Sequence, residues 1–201
     1  MSSQQSKTNK EGSVRDISVY QTLNEEYLRY PSNYFTTPLR SPPGYPNKDQ
    51  SQRRYFYLDI PPPGGLEEKA TILLLHGFPD SSYGWRKILS PLSMSGYRLI
   101  VPDLLGYGRT SKPTSLEEYS ARSMAFDLAD LMTSVLQGKH DNKFAVVGHD
   151  WGSWLSWKLP LWIPERLLGV HGICVSYVPP TDKFISTTQL AARYPQFGYQ
   201  M

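Results

Sequence analysis

The chain carries one cysteine, Cys174, in 201 residues. A lone thiol cannot close an internal disulfide, which excludes a disulfide-stapled secreted scaffold and suits a reducing compartment. No apolar run reaches the ~20 residues that a membrane-spanning helix needs. Residues 1–19 are polar and charged, without the apolar stretch of a secretory signal. A soluble cytoplasmic protein is the expectation. Excess charge of either sign is also missing: 21 Lys and Arg face 18 Asp and Glu, a formal net charge of +3, and the basic residues are scattered. Nucleic acid is therefore not an expected partner. Metal-ligand spacings, a Walker A loop and a G-x-G-x-x-G turn are all lacking, so neither a metal nor a cofactor is implied.

What is there is enough chain for one sizeable core. Residues 1–14, rich in Ser, Gln, Lys and Asn, read as a disordered tail. Residues 31–46 read as loop, because Pro31, Pro38, Pro42, Pro43 and Pro46 prevent a regular helix. Beyond them, strands are expected over residues 54–60, 70–75, 98–101, 144–147 and 168–175, and helices over residues 85–92 and from 151 to about 159. Met124, Leu128, Leu131 and Val135 recur at helical spacing, and Ser115-Leu116-Glu117-Glu118 before them resembles a capping box. Strand and helix alternate, which predicts an α/β fold: a doubly wound, mostly parallel sheet with helices on both faces. Right-handed crossovers then bring the strand ends to one edge.

The most informative segment is Gly148-His149-Asp150-Trp151-Gly152, directly after the apolar run Phe144-Ala145-Val146-Val147. Its small-x-nucleophile-x-small form is that of a nucleophile elbow, a tight strand-to-helix turn that lifts one side chain clear of the sheet. Glycine is needed at the flanks because a Cβ there would collide with neighbouring backbone. The usual serine is replaced by Asp150. A carboxylate needs no general base to become nucleophilic, so it suits attack on a carbon bearing a leaving group, with formation of an alkyl ester. An aspartate before a helix can also be a simple N-cap. Ser153 follows Gly152, but Leu155 breaks the elbow spacing around it.

Upstream, Thr71-Ile72-Leu73-Leu74-Leu75 runs into His76-Gly77-Phe78-Pro79-Asp80. A strand followed by His-Gly is where such a sheet supplies one backbone donor of an oxyanion hole, the residue after the nucleophile supplying the other. Those donors would be the N–H groups of Phe78 and Trp151. Pro79 has no N–H and biases Phe78 away from helical conformation. Trp151 is also expected to wall the pocket, whereas Trp154 and Trp157, three apart, are expected to pack against the sheet. Asp103 reads as a loop-anchoring carboxylate rather than a catalytic acid.

Together with Asp103-Leu104-Leu105-Gly106-Tyr107-Gly108-Arg109-Thr110-Ser111 and Pro164-Glu165-Arg166, these segments resemble the N-terminal portion of an α/β-hydrolase-fold epoxide hydrolase, akin to the haloalkane and haloacetate dehalogenases. The resemblance implies an Asp nucleophile, a small apolar epoxide as substrate and a vicinal diol as product. It divides the chain into a tail and lead-in (residues 1–30), the first part of a hydrolase core (31–176) and the start of a lid (177–201). It also implies a role for Tyr199, one of 14 tyrosines, as the lid hydroxyl that hydrogen-bonds the epoxide oxygen. The alternative for Tyr199 is an ordinary half-buried tyrosine.

In this family the nucleophile is followed by an acid and then a histidine that activates water. Neither is found before Met201. His76 and His149 belong to turns, His140 to a polar loop, and His171, inside an apolar strand, reads as a core histidine. The chain therefore reads as a truncated form with its sheet incomplete on the C-terminal side. A catalytically inactive fragment is the alternative from another class. A dehalogenase is a further one, disfavoured by Phe78 where such enzymes often carry Asn, and by Trp151 where the haloacetate enzymes carry Arg. Oligomeric state is not legible.

Overall fold

The computed structural model describes residues 17–38, 52–179, 182–183 and 185–195. Along the chain run α1 (Ile17–Arg29), β1 (Ser32–Thr36), β2 (Arg54–Ile60), β3 (Ala70–Leu75), α2 (Arg86–Met94), β4 (Tyr97–Pro102), α3 (Ala121–Leu136), β5 (Phe144–His149), α4 (Trp151–Ser156), β6 (Leu167–Ile173) and α5 (Thr187–Arg193). The strands form one sheet in the order β1-β2-β4-β3-β5-β6. β4, β3, β5 and β6 are parallel, while β2 runs antiparallel to both β4 and β1. The architecture is the expected doubly wound, mostly parallel sheet.

Alternation along β3 explains why it sits at the centre. Leu73 and Leu75 point to one face, where they meet Leu128, Leu131 and Met132 of α3 and Leu155 of α4. Ile72 and Leu74 point to the other, with Trp85 and Leu89 beside α2 and Tyr27 of α1. Both faces of a parallel strand are covered, so its sequence is a continuous apolar run. Each fully buried leucine contributes about 1.5–3 kcal/mol relative to an exposed one.

Several local expectations are corrected. Within the stretch read as loop, residues 32–36 form β1: proline excludes helix there, yet Pro31 and Pro38 flank a short edge strand without interrupting it. The apparent capping box makes only a 3-10 turn over Leu116–Tyr119, with no cap from the Ser115 side chain to the backbone. Helix α3 starts later, at Ala121, where Ser120 Oγ accepts the Ser123 N–H at 3.2 Å. Helix α4 stops at Ser156, short of residue 159. His171 is exposed, not a core residue: among the described residues β6 pairs with β5 alone and is the outermost strand on that side. The tail at residues 1–14 lies outside the described residues.

A buried ionic knot ties the start of β2 to α3. Arg53 Nε and Nη2 donate to Asp127 at 2.7 and 2.6 Å, Nη1 donates to Glu118 at 3.2 Å, and the Tyr55 hydroxyl donates to Asp127 Oδ2 at 2.9 Å. The Asp127 side chain is fully shielded from solvent. Removing the shared guanidinium from such a pair costs far more than a surface ion pair would. Arg53→Met is expected to lower unfolding free energy by about 3–5 kcal/mol, read as a shift of the denaturant midpoint at unchanged slope. A shift of less than about 1 kcal/mol would mean the knot contributes no more than a surface pair.

Candidate active site

Two strand ends build the site. β3 and β5 are adjacent and parallel, with Leu75 opposite Gly148, so the segments that follow each strand emerge side by side. Glycine lets them come together. A Cβ at Gly152 would collide with the Leu75 carbonyl oxygen, one at Gly148 with the Gly152 carbonyl, and one at Gly77 would lie 2.5 Å from Asp150 Cβ. Each would be a clash with backbone or with the central side chain of the site.

Asp150 sits at the turn with φ 54° and ψ −120°, a conformation L-residues seldom adopt. Its N–H is held by the Ile173 carbonyl at 3.1 Å, and its own carbonyl accepts the Trp154 N–H at 3.1 Å, the first turn of α4. The side chain makes no helix-capping bond, which sets aside the N-cap reading. Instead Asp150 Oδ1 accepts the Phe78 N–H at 2.8 Å. Of the two expected donors, Phe78 is thus directed at the carboxylate. Trp151 is the first residue of α4, where an N–H has no intrahelical acceptor.

A cleft of about 190 Å³ adjoins the elbow, walled by Leu104, Tyr107, Tyr119, Met124, Trp151 and Trp154. Trp151 and Trp154 meet edge to face at 5.6 Å. Trp154 is therefore a half-buried cleft wall as well as a packing residue. Trp157 turns back to the chain, its Nε1 donating to the Val175 carbonyl at 2.8 Å, an acceptor shared with Ser153 Oγ at 2.7 Å. Tyr107 was not singled out by the motifs, although its place between Gly106 and Gly108, both at positive φ, was a usable signal. Its phenol is pushed up by burial and by the nearby Asp150 carboxylate.

The loop carrying Tyr107 is anchored by Asp103, as expected for that residue. Buried Asp103 accepts from Ser82 Oγ at 2.5 Å, from the Ser82 N–H at 2.9 Å and from the Arg109 N–H at 3.0 Å. The Arg109 guanidinium continues to the Tyr27 hydroxyl at 2.9 Å, so α1 is tied to the same centre. Tyr199 lies outside the described residues. His140 pairs with Glu68 at 3.0 Å, and Cys174 is exposed and free. Among the described residues no three His, Cys, Asp or Glu side chains gather as a metal site, and no helix is long and apolar enough to cross a membrane.

A family model described as alpha/beta hydrolase fold matches residues 70–200. Epoxide hydrolase srdG of Neurospora crassa is 41% identical over 133 residues, which are 66% of this chain and 38% of that protein. The bifunctional epoxide hydrolase 2 of Sus scrofa is 32% identical over 130 residues, 65% of this chain and 22% of its own length. The crystal structure of epoxide hydrolase VrEH1 from Vigna radiata superposes with a TM-score of 0.62 at 28% identity, covering 81% of this chain and 46% of that one. The chain thus spans less than half the length of each of these proteins.

Two outcomes follow from this geometry. Gly152→Ala is expected to destabilise the fold by about 2–3 kcal/mol or more, because the added Cβ would meet the backbone carbonyls of Leu75 and His76 and neither α4 nor the end of β3 can retreat; a thermal melt checks it, and an unchanged midpoint would contradict the close approach. Acid is expected to loosen the Asp103 anchor. Burial alone would push this carboxyl up, yet the Ser82 hydroxyl, the Arg109 and Ser82 amides and the Arg109 charge hold it below the ordinary value of 3.8. Its stabilising contribution is complete above that value and is lost as pH falls through the lower folded value. Asp103→Asn should flatten the acid side of the stability profile measured by denaturant titration.

Proposed function

The chain belongs to the alpha/beta hydrolase fold family, and on that premise we propose that it carries the nucleophilic chemistry of an epoxide hydrolase, with Asp150 as the attacking group. The observation that supports this most directly is the Phe78 N–H on Asp150 Oδ1. It orients the carboxylate so that Oδ2 is the attacking oxygen and Oδ1 becomes the ester carbonyl. The apolar, aromatic cleft beside the elbow suits a small apolar epoxide.

In the proposed reaction Asp150 Oδ2 forms a bond to one epoxide carbon from behind while the ring C–O bond breaks. The bonding pair goes to the ring oxygen, which takes a proton to become a hydroxyl. Tyr199 is the proposed donor to that oxygen, with residues 177–201 proposed as the start of a lid and residues 31–176 as the first part of the core. Water then adds to the ester carbonyl. The oxyanion of that step develops on Oδ1, where the Phe78 N–H already points and the Trp151 N–H is the proposed second donor. Collapse of this intermediate releases the diol and regenerates the carboxylate.

Addition of water needs a base. Of the four histidines, His76 is engaged with backbone, His140 with Glu68, His171 lies exposed on β6, and His149 ends β5 immediately before Asp150. Ester formation is therefore expected to outrun its hydrolysis. Incubation with styrene oxide followed by intact-protein mass spectrometry should show one adduct per chain, mapped to the peptide containing Asp150 and missing from Asp150→Asn. Repeated turnover to diol would assign a base, His149 being adjacent to the nucleophile. No adduct on the folded chain would sink the nucleophile reading, and chloride release from a haloalkane would move the substrate class.

A further inference from the structure

We propose that His76 is a positioning residue for this reaction: in its neutral form, with the proton on Nδ1, it clamps the loop that carries the Phe78 donor to the loop that walls the cleft. The inference rests on the Asp150 reading above for its catalytic consequence, but the clamp itself is read from hydrogen-bond chemistry. His76 is completely buried. Its Nε2 lies 2.8 Å from the Leu104 backbone nitrogen, and its Nδ1 lies 2.9 Å from the Gly77 carbonyl oxygen. A backbone N–H can only donate and a carbonyl can only accept, so Nε2 must be the lone-pair nitrogen and Nδ1 must carry the hydrogen. One tautomer satisfies both partners.

Each end of that imidazole reaches the reactive centre within one residue. Gly77 packs against Asp150, and the next N–H along the chain, that of Phe78, holds Asp150 Oδ1. Leu104 lines the cleft, and Tyr107 in the same loop meets the His76 ring edge to face at 5.2 Å and the Phe78 ring at 6.5 Å. The imidazole thus sets the distance between the oxyanion donor and the opposite wall of the substrate site. Backbone on both sides makes the tie stiffer than a contact between two side chains.

Protonation would break it, because Nε2–H would then face the Leu104 N–H, donor against donor. The charged groups that face the ring are the carboxylates of Asp103 and Asp80, which favour the imidazolium, with the Tyr107 phenol on its flank. Burial opposes them and prevails, holding the ring below the ordinary value of 6.5. The clamp is accordingly intact at neutral pH and opens only on the acid side.

The test uses the full chain labelled with ¹⁵N. Two-bond ¹⁵N–¹H spectra taken from about pH 8 to about pH 5 should show His76 protonated on Nδ1 and bare on Nε2, with no change of state at the ordinary imidazole value. Hydrogen exchange at the Leu104 and Phe78 amides should be slow while the ring is neutral. His76→Phe, similar in size, should speed exchange at both amides and slow Asp150 alkylation by styrene oxide, each by about tenfold or more, the equivalent of one lost hydrogen bond. His76→Gln, whose Oε1 can accept the Leu104 N–H, should recover most of both. A proton on Nε2 in the wild type, or amide protection unchanged in His76→Phe, would overturn the clamp. The wild-type spectra decide this even if His76→Phe does not fold. Protected amides in a wild-type chain that gives no adduct would support the clamp while refuting the nucleophile.

Discussion

One hydrogen bond, from the Phe78 N–H to the Asp150 carboxylate, joins two chain segments 72 residues apart. Everything around it is arranged so that those two groups can meet. The strands that deliver them are neighbours in the sheet, the glycines remove side chains that would hold them apart, and the Ile173 carbonyl steadies the turn from the other side. A backbone held as Asp150's is costs about 1–3 kcal/mol. A hydrogen bond from an amide to a charged acceptor returns about 1.5–3 kcal/mol. The two are of the same size, so the unusual backbone is sustained by the bond that it makes possible.

For the proposed reaction the choice of aspartate in this setting has a physical logic. A serine at the same place would need a base to remove its proton, whereas a carboxylate arrives ready. Its weakness is solvation: water stabilises it and dulls it. A cleft of aromatic and aliphatic walls lies beside the elbow, and the Phe78 N–H fixes the orientation of the carboxylate. In the proposed reaction the same N–H serves the carboxylate before attack and the oxyanion of the later step, so the donor need not move between them.

Most of the architecture was legible in the chain itself, because the strong signals were local. The run Ala70–Leu75 and the alternation in Arg54–Ile60 coincide with observed strands, and the spacing of Met124, Leu128, Leu131 and Val135 coincides with the inner face of α3. The misreadings arose where tertiary context decides. Residues 32–36 become a strand only because β2 offers a partner. His171 looked buried from its apolar neighbours, but burial of a strand residue depends on what covers the sheet at that point. For the site, the elbow and the His76-Gly77 turn were visible as motifs, whereas the bond between Phe78 and Asp150 and the cleft wall of Tyr107 and Tyr119 join segments far apart in sequence. No spacing rule connects them. The double use of His76 was hidden for the same reason: one of its partners is the backbone of Leu104, and a backbone group leaves no mark in a sequence.

The Val175 carbonyl, gripped at once by Ser153 and Trp157, has a mechanical meaning. Both donors belong to the stretch that begins with the elbow, so the chain leaves the sheet from a point riveted to the same rigid unit as the carboxylate. Residues 176–179 start from that rivet and run outward without regular structure. Val175 is thereby tied to the elbow helix as well as to β6, the strand it follows, so a pull on the chain there is shared between two short side-chain bonds and the strand backbone.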